Sequence, residues 1–271
     1  MIKLGVNSVL FAGYDFETAA RYIAASGYDG IEISAIAGMC EHLELDRFKE
    51  QKNKLLETVE KYELEFLAME EASLDEKRLE KAFLAARELG IPVVNVGPGG
   101  RAGVEEDIVK TIGMLDKMSK RAEDFGVRLC VKAHVGASIY DTRTTLRAID
   151  SIASEGFGID MDPSHIFRVG EEPGEALAKV LHRVGHIHIR DCLQRVGSPG
   201  APEDQACGRG SIDLYGYCSV LARGGYDGAV NLEIIGAGGL DIPRLCIIAA
   251  ESYGYLNACF TKLGVRKGGR S

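Results

Sequence analysis

Short apolar runs rich in Val and Ile alternate along this chain with longer segments of helical periodicity. The runs Lys3–Val6, Gly30–Ile33, Glu65–Met69, Pro92–Val96, Arg128–Val131, Gly156–Ile159, Gly185–Ile189 and Ala229–Glu233 each read as a strand. Between them, Phe16, Ala19, Ala20, Ile23 and Ala24 share one helical face, and Ile108, Ile112, Leu115 and Ala122 share another. Ser73-Leu74-Asp75-Glu76 has capping-box spacing and predicts a helix start. Glycine turns at Ser26-Gly27, Leu89-Gly90, Phe125-Gly126 and Gly224-Gly225 close a helix before the next strand, as C-terminal caps do. Strand, helix, glycine turn, strand is the signature of parallel βα units. Eight such runs fit an α/β barrel, though the number alone separates a barrel from an open sheet only weakly.

Composition narrows the picture. With 271 residues, 46% hydrophobic and 27% charged, the chain can bury a large core. A barrel of roughly 250 residues fits that length. No composition shift marks a second unit, so residues 1–271 are read as a single barrel domain. The formal charge of −8 argues against a polyanionic partner such as nucleic acid. No run is long enough to span a bilayer, and Met1–Asn7 lacks the basic start and long apolar stretch of a secretory signal, so a cytoplasmic location is expected. The seven cysteines are scattered and form no C-x-x-C pair, which points to packed thiols. The Gly- and Pro-rich stretch Leu193–Ser211 is the longest loop, and the segment from Asp241 reads as a helix followed by a basic tail, Lys267-Gly268-Gly269-Arg270.

The chemistry-bearing residues cluster at the C-terminal ends of the later strands, where a barrel enzyme builds its site. Residues two apart in a strand face the same side, so Asp160 pairs with Asp162, His186 with His188 and Arg190, and Lys132 with His134. If the inward face is the one that ends in Glu233, then Asp162, His188 and Glu233 converge at the barrel mouth. Two carboxylates and an imidazole make a reasonable site for Mn²⁺, Mg²⁺, Co²⁺ or Zn²⁺. His186 sits deeper and reads as a supporting residue, and Asp160 as a structural acid. His42 and His182 are expected on the surface. Glu32 either reaches a substrate or pairs with a basic neighbour. Glu70-Glu71 is either catalytic or a cap for the next helix. Gly97-Pro98-Gly99-Gly100 reads as a tight turn rather than a phosphate cradle, because it lacks the Lys-Ser of a P-loop.

Several motifs occur in order along nearly the whole chain: Gly27-Tyr28-Asp29-Gly30-Ile31-Glu32, Asp162-Pro163-Ser164-His165, His188-Ile189-Arg190-Asp191, Gly208-Arg209-Gly210-Ser211-Ile212-Asp213 and Asn231-Leu232-Glu233. With them the chain resembles the xylose-isomerase-like sugar phosphate isomerase/epimerase superfamily, (β/α)8 TIM barrels related to AP endonuclease family 2, D-tagatose 3-epimerase and inosose dehydratase. The resemblance implies a metal held by a Glu of the fifth strand, the Asp of D-x-x-H, a seventh-strand His and an eighth-strand Glu. Asp162, His188 and Glu233 match three of the four. At the fifth strand the usual E-N-H is Lys132-Ala133-His134 here, so a cation stands where a carboxylate ligand is expected.

Two outcomes follow for the substitution. A metal still binds through Asp162, His188 and Glu233, or the Lys132 ammonium occupies the cation position and pairs with Glu233 and Asp162. The activity implied is an isomerase or epimerase acting on a small carbohydrate by proton transfer next to a carbonyl. Glu233 is the expected base, Lys132 or His134 the opposing acid, and Glu32, His165, Arg190 and Arg209 are the expected substrate contacts. Alternatives are an inosose-dehydratase-like lyase, which shares the first step, and a catalytically silent sugar-binding barrel. An AP endonuclease is disfavoured because the early strands end without histidines. A homo-oligomer is expected from the resemblance alone.

Overall fold

Every strand run of the sequence becomes a strand, and the eight close on themselves in chain order. In the computed structural model, which describes residues 1–267, they are β1 (Lys3–Asn7), β2 (Gly30–Ile36), β3 (Glu65–Ala72), β4 (Val93–Val96), β5 (Arg128–Lys132), β6 (Phe157–Met161), β7 (Val184–Ile189) and β8 (Ala229–Leu232). Neighbours pair in parallel, and β1 pairs with both β2 and β8, which shuts the ring. A two-residue strand, Cys40–Glu41, adds antiparallel to the end of β2. The architecture is a TIM barrel. Of the basic tail, Gly268-Gly269-Arg270 lies outside the described residues.

Among the described residues nine α-helices surround the ring: α1 (Phe16–Ala25), α2 (Phe48–Lys61), α3 (Glu76–Leu89), α4 (Glu105–Glu123), α5 (Thr142–Ser151), α6 (Pro163–Arg168), α7 (Pro173–Val180), α8 (Leu214–Arg223) and α9 (Ile242–Lys262). The stripe Phe16, Ala19, Ala20 and Ile23 is buried, as its spacing predicts. Helix α3 starts two residues later than the Ser73 box implies. Its N-cap is Asp75, whose carboxylate accepts from the Arg78 amide, while Ser73 turns back to Glu71. Gly90 closes α3 at φ +71°, a left-handed position that a side chain would strain. Among the described residues no helix is long and apolar enough to cross a membrane.

The two faces of the ring carry different chemistry because side chains alternate along a strand. Leu4, Val6, Ile31, Ile33, Val94, Leu129, Ile159, Ile187 and Leu232 join the large apolar core shared with the helices. The opposite set points into the barrel. Its lower level is small and apolar, with Ala68, Val93 and Cys130 in a cluster of their own. Gly158 belongs to this level, where a Cβ would lie 2.8 Å from Cys130 Sγ. Above it the interior turns polar, with Asn7, Glu32, Asn95, Lys132, Asp160, His186, His188 and Asn231 all buried. Helix packing is thus supplied by one parity of each strand, and the other is left free for chemistry.

Candidate active site

The polar interior is organised in two tiers. In the lower tier His188 Nε2 lies 2.5 Å from Glu32 Oε2, and its Nδ1 lies 2.7 Å from Asp160 Oδ2. Asp160 also accepts from the His188 backbone amide at 2.9 Å and faces His186 Nδ1 at 3.0 Å. Asn95 Nδ2 donates to Glu32 Oε1 at 2.5 Å, and Asn231 Nδ2 reaches His186 Nε2 at 2.7 Å. Burial by itself would strip the proton from His188, but the charges of Asp160 and Glu32 outweigh it and hold the imidazole well above its ordinary pKa. Each His188 nitrogen thus faces a carboxylate, an arrangement that favours the charged form of the ring. Burial likewise works against ionised Asp160 and Glu32, and the two histidines overcome it to hold both acids low.

The upper tier opens to solvent. Lys132 Nζ donates to Glu233 Oε1 at 2.6 Å and to Glu70 Oε1 at 3.0 Å, with all three side chains about 95% buried. Glu70 also accepts from Asn7 Nδ2 at 2.5 Å. Arg190 Nε donates to Ser164 Oγ at 2.8 Å, and its Nη2 lies 2.9 Å from Asp162 Oδ2 and 3.4 Å from Glu233 Oε2. The His165 and His134 rings lie with centroids 4.1 Å apart, tilted by 39° to each other. Above these groups lies a cavity of about 420 Å³, whose wall includes Glu70, Lys132, His134, His165, Arg168, Arg190 and Glu233. That volume falls within the range of small-molecule sites.

The charges in this tier are unequal. Burial opposes the Lys132 ammonium, yet Glu233 and then Glu70 outweigh it and raise its pKa above the ordinary lysine value. Burial also opposes ionised Glu233, and Lys132, His188 and Arg190 together hold it well below the usual range. For Glu70 burial wins: only Lys132 opposes it strongly, Glu233 adds repulsion, and its pKa rises to about 7. Glu70 and Glu233 share one ammonium, and the charge of Glu233 adds to the rise at Glu70. His165 is held neutral, by burial first and then by the charges of Arg190, His134, Lys132 and Arg168.

Of the residues singled out from sequence, the fold brings Lys132, His134, His165, Arg190 and Glu233 to one cavity. Asp162 lies just beneath, against Arg190. Glu32 takes the second of its two expected roles and pairs with His188 below the cavity floor. Arg209 is elsewhere. It is exposed and bonds Glu251 of α9 through both Nε and Nη2, because the loop after β7 folds back over that helix. The expectation that Lys132 pairs with Asp162 also changes, since β3 supplies Glu70 instead. His42 is buried rather than on the surface, with Nε2 2.9 Å from the Tyr14 carbonyl. Of the dipeptide Glu70-Glu71, Glu70 faces the cavity, while Glu71 accepts from Ser73 and Arg78 and leaves the capping of α3 to Asp75. Strand parity would have placed Glu70 on the inward face, had the strand been extended to Ala72. Arg168 carried no signal beyond lying one helical turn after His165.

Groups of the kind that hold divalent ions are present. Among the described residues, Glu32, His186 and His188 bring ligand atoms within 4.8 Å of one another, as do Glu70, His188 and Glu233. The side chains as they stand do not fit an ion. Both sets need His188, and a ligating imidazole must be neutral with a free lone pair, whereas both His188 nitrogens face carboxylates. The second set already has the Lys132 ammonium between its two carboxylates, and Asp162 belongs to neither set.

The upper tier is assembled from the ends of β3, β5, β6, β7 and β8, the rim where TIM-barrel enzymes carry their sites. The model of the xylose isomerase-like TIM barrel family matches residues 20–252, and the chain belongs to that family. An inosose isomerase of Halalkalibacterium halodurans is 24% identical over 230 residues, covering 79% of this chain and 80% of that protein. An inosose dehydratase of Clostridium botulinum is 25% identical over 131 residues, and the match spans only 44% of each chain. Among solved structures, a D-tagatose 3-epimerase-like protein superposes with a TM-score of 0.77 at 21% identity, covering 97% of this chain and 98% of its own. The IOLI protein, solved with a bound zinc atom, gives 0.76 at 20% identity, covering 94% and 97%. At these identities the structural likeness establishes the fold.

Proposed function

We propose that this protein moves a proton at the carbon next to a carbonyl of a small polyhydroxylated substrate, as an isomerase or epimerase. The observation that carries the reading is the Lys132 ammonium bonded to two buried carboxylates, Glu70 and Glu233, in a cavity at the strand ends. Abstraction next to a carbonyl leaves negative charge on the carbonyl oxygen, and the step is fast only if fixed cations meet that charge. Lys132 and Arg190 supply them, and Glu233 and Asp162 hold them in place.

The proton itself needs a group that titrates near neutrality. Glu70, at about 7, suits that task. Glu233, the base expected from sequence, lies across Lys132 from it and serves as the opposing carboxylate once substrate displaces part of the ion pair. Lys132 acts in this scheme as electrophile rather than as acid, since its proton is held tightly. His134, exposed at the mouth and hydrogen-bonded to the Val135 carbonyl at 2.9 Å, contacts substrate and exchanges protons with solvent. A divalent ion is not needed for any of these steps.

If the same carbanion carries a hydroxyl on the adjacent carbon, it expels water, and the enzyme is a dehydratase. The relatives named inosose isomerase and inosose dehydratase span both outcomes. The test is incubation with ketoses and inososes in D₂O. Deuterium should enter at the carbon next to the carbonyl in the presence of chelator, and product mass should separate isomerisation from loss of water. Absence of exchange across the panel, or exchange undiminished in Lys132→Met, would remove the proposal.

A further inference from the structure

Glu70 and Glu233 are held in a way that restricts the side from which they meet a substrate. Lys132 Nζ fills the space between them, 3.0 Å from Glu70 Oε1 and 2.6 Å from Glu233 Oε1. The second oxygen of each is already engaged or covered. Glu70 Oε2 accepts from Asn7 Nδ2 at 2.5 Å, and that amide is itself oriented, because its Oδ1 accepts from the Val9 backbone N–H at 3.0 Å. Glu233 Oε2 has less than 1 Å² of exposed surface and lies 3.4 Å from Arg190 Nη2. Both side chains are buried except where they line the cavity, so a bound molecule meets them from the cavity alone.

Inverting a carbon next to a carbonyl takes a proton from one face and returns one to the other. Two groups must then stand on opposite sides of that carbon, each about 3–3.5 Å away, which sets them about 6–7 Å apart with the substrate between. Oxygens of Glu70 and Glu233 lie within 4.8 Å of one another, and the ammonium occupies the gap. The pair is too close, and its gap too filled, to hold a carbon between its members. The wall contributed by Val9, Ile36, Met39 and Ile235 carries no proton donor in its side chains. Arg168 and Arg190 keep their protons, and His165 is engaged by both of them. Among the described residues of the wall, that leaves His134 at the rim as a carrier for the other face.

We propose that Glu70 and Glu233 serve one and the same face of the substrate, so that the enzyme shifts a carbonyl by one carbon without inverting the carbon it deprotonates. The inference rests on the catalytic reading of the same cavity and decides between its two outcomes, isomerase over epimerase. One carboxylate takes the proton of the C–H bond, whose electron pair forms an enediolate with its charge met by Lys132 and Arg190. That proton returns, from the same side, to the former carbonyl carbon. The other carboxylate passes the proton of the neighbouring hydroxyl to the former carbonyl oxygen, so that atoms and charge balance. Glu233 opposes Glu70 across the ammonium, not across a substrate carbon.

The experiment follows D-fructose, D-tagatose and scyllo-inosose in D₂O by proton and carbon-13 NMR and scores the configuration of every carbon that gains deuterium. A positioned acid or base accelerates proton transfer by about a hundredfold or more, so deuterium should enter with retained configuration more than tenfold faster than any epimer appears. The product should be an isomer whose carbonyl has moved by one carbon. Where C1 of a ketose alone exchanges, the aldose should have a single configuration at C2. An epimer that forms within tenfold of the exchange rate, or both C2 aldoses in comparable amounts, overturns this proposal and leaves the catalytic reading standing. Absence of exchange in all three compounds removes the catalytic reading and this proposal with it.

Discussion

Lys132 Nζ lies 2.6 Å from Glu233 Oε1, so the residue that replaces an expected carboxylate ligand is bonded to the carboxylate that ends the barrel. The interaction crosses the ring from β5 to β8 and is sealed from water on all sides but the cavity. Removing one partner of such a pair leaves a buried charge alone, which typically costs about 3–5 kcal/mol.

Lys132→Met should therefore lower stability by that order, read as a shift in the denaturant midpoint, and should abolish deuterium exchange. Lys132→Glu tests the metal question directly. Elemental analysis should find well below one zinc per chain in the wild type after dialysis, and close to one in the variant, where a fourth carboxylate replaces the ammonium. Stoichiometric metal in the wild type would mean that the ammonium does not hold the cation position.

Glu70 provides a pH test. Its pKa in the folded protein is about 7, above the ordinary 4.5, so folding favours its protonated form. The stability it contributes is complete below pH 4.5 and is lost as pH rises toward 7. Glu70→Gln should consequently gain stability relative to wild type across that window and hold the gain at higher pH. Parallel denaturation curves for the two proteins at every pH would show that Glu70 does not titrate this way.

His188 has linkage of the same sign in a higher pH window. Its folded pKa is raised, so its stabilising charge is fully present below 6.5 and disappears only as pH passes the higher folded value. Nitrogen-15 spectra of labelled histidine should show one ring with both nitrogens protonated at pH 7.5 and above, lost in His188→Gln. A neutral pattern for that ring would reopen His188 as a metal ligand.

Arg209 should be dispensable. It bonds Glu251 on the outer surface, with both side chains more than a third exposed, and such pairs contribute below about 1 kcal/mol. Arg209→Gln should leave both the denaturant midpoint and KM near wild type. A KM raised tenfold would restore the substrate contact that the sequence suggested.

The eight strands and most helix faces were legible in the sequence from periodicity, and five of the residues now lining the cavity from strand parity together with the family motifs. Two-residue spacing assigns Lys132, Asp160, His188 and Glu233 to the inward parity as soon as one strand is oriented. Partner choice was not legible. Lys132 meets Glu70, 62 residues away, rather than Asp162, because β3 runs past Met69 to Ala72 through a register shift, with Ala72 at φ +69°. Arg209 lies in one of the ordered motifs, yet the loop after β7 carries it to α9.

Sequence by itself determined the βα repeat and the polar parity of the barrel, since both are local consequences of which residues alternate. Only the tertiary structure decided which charge neutralises which. Burial makes each ionised group costly until a specific partner arrives, and that partner comes from a strand distant in the chain. The division of labour between Glu70, Glu233, His188 and the two arginines is therefore a property of the closed ring.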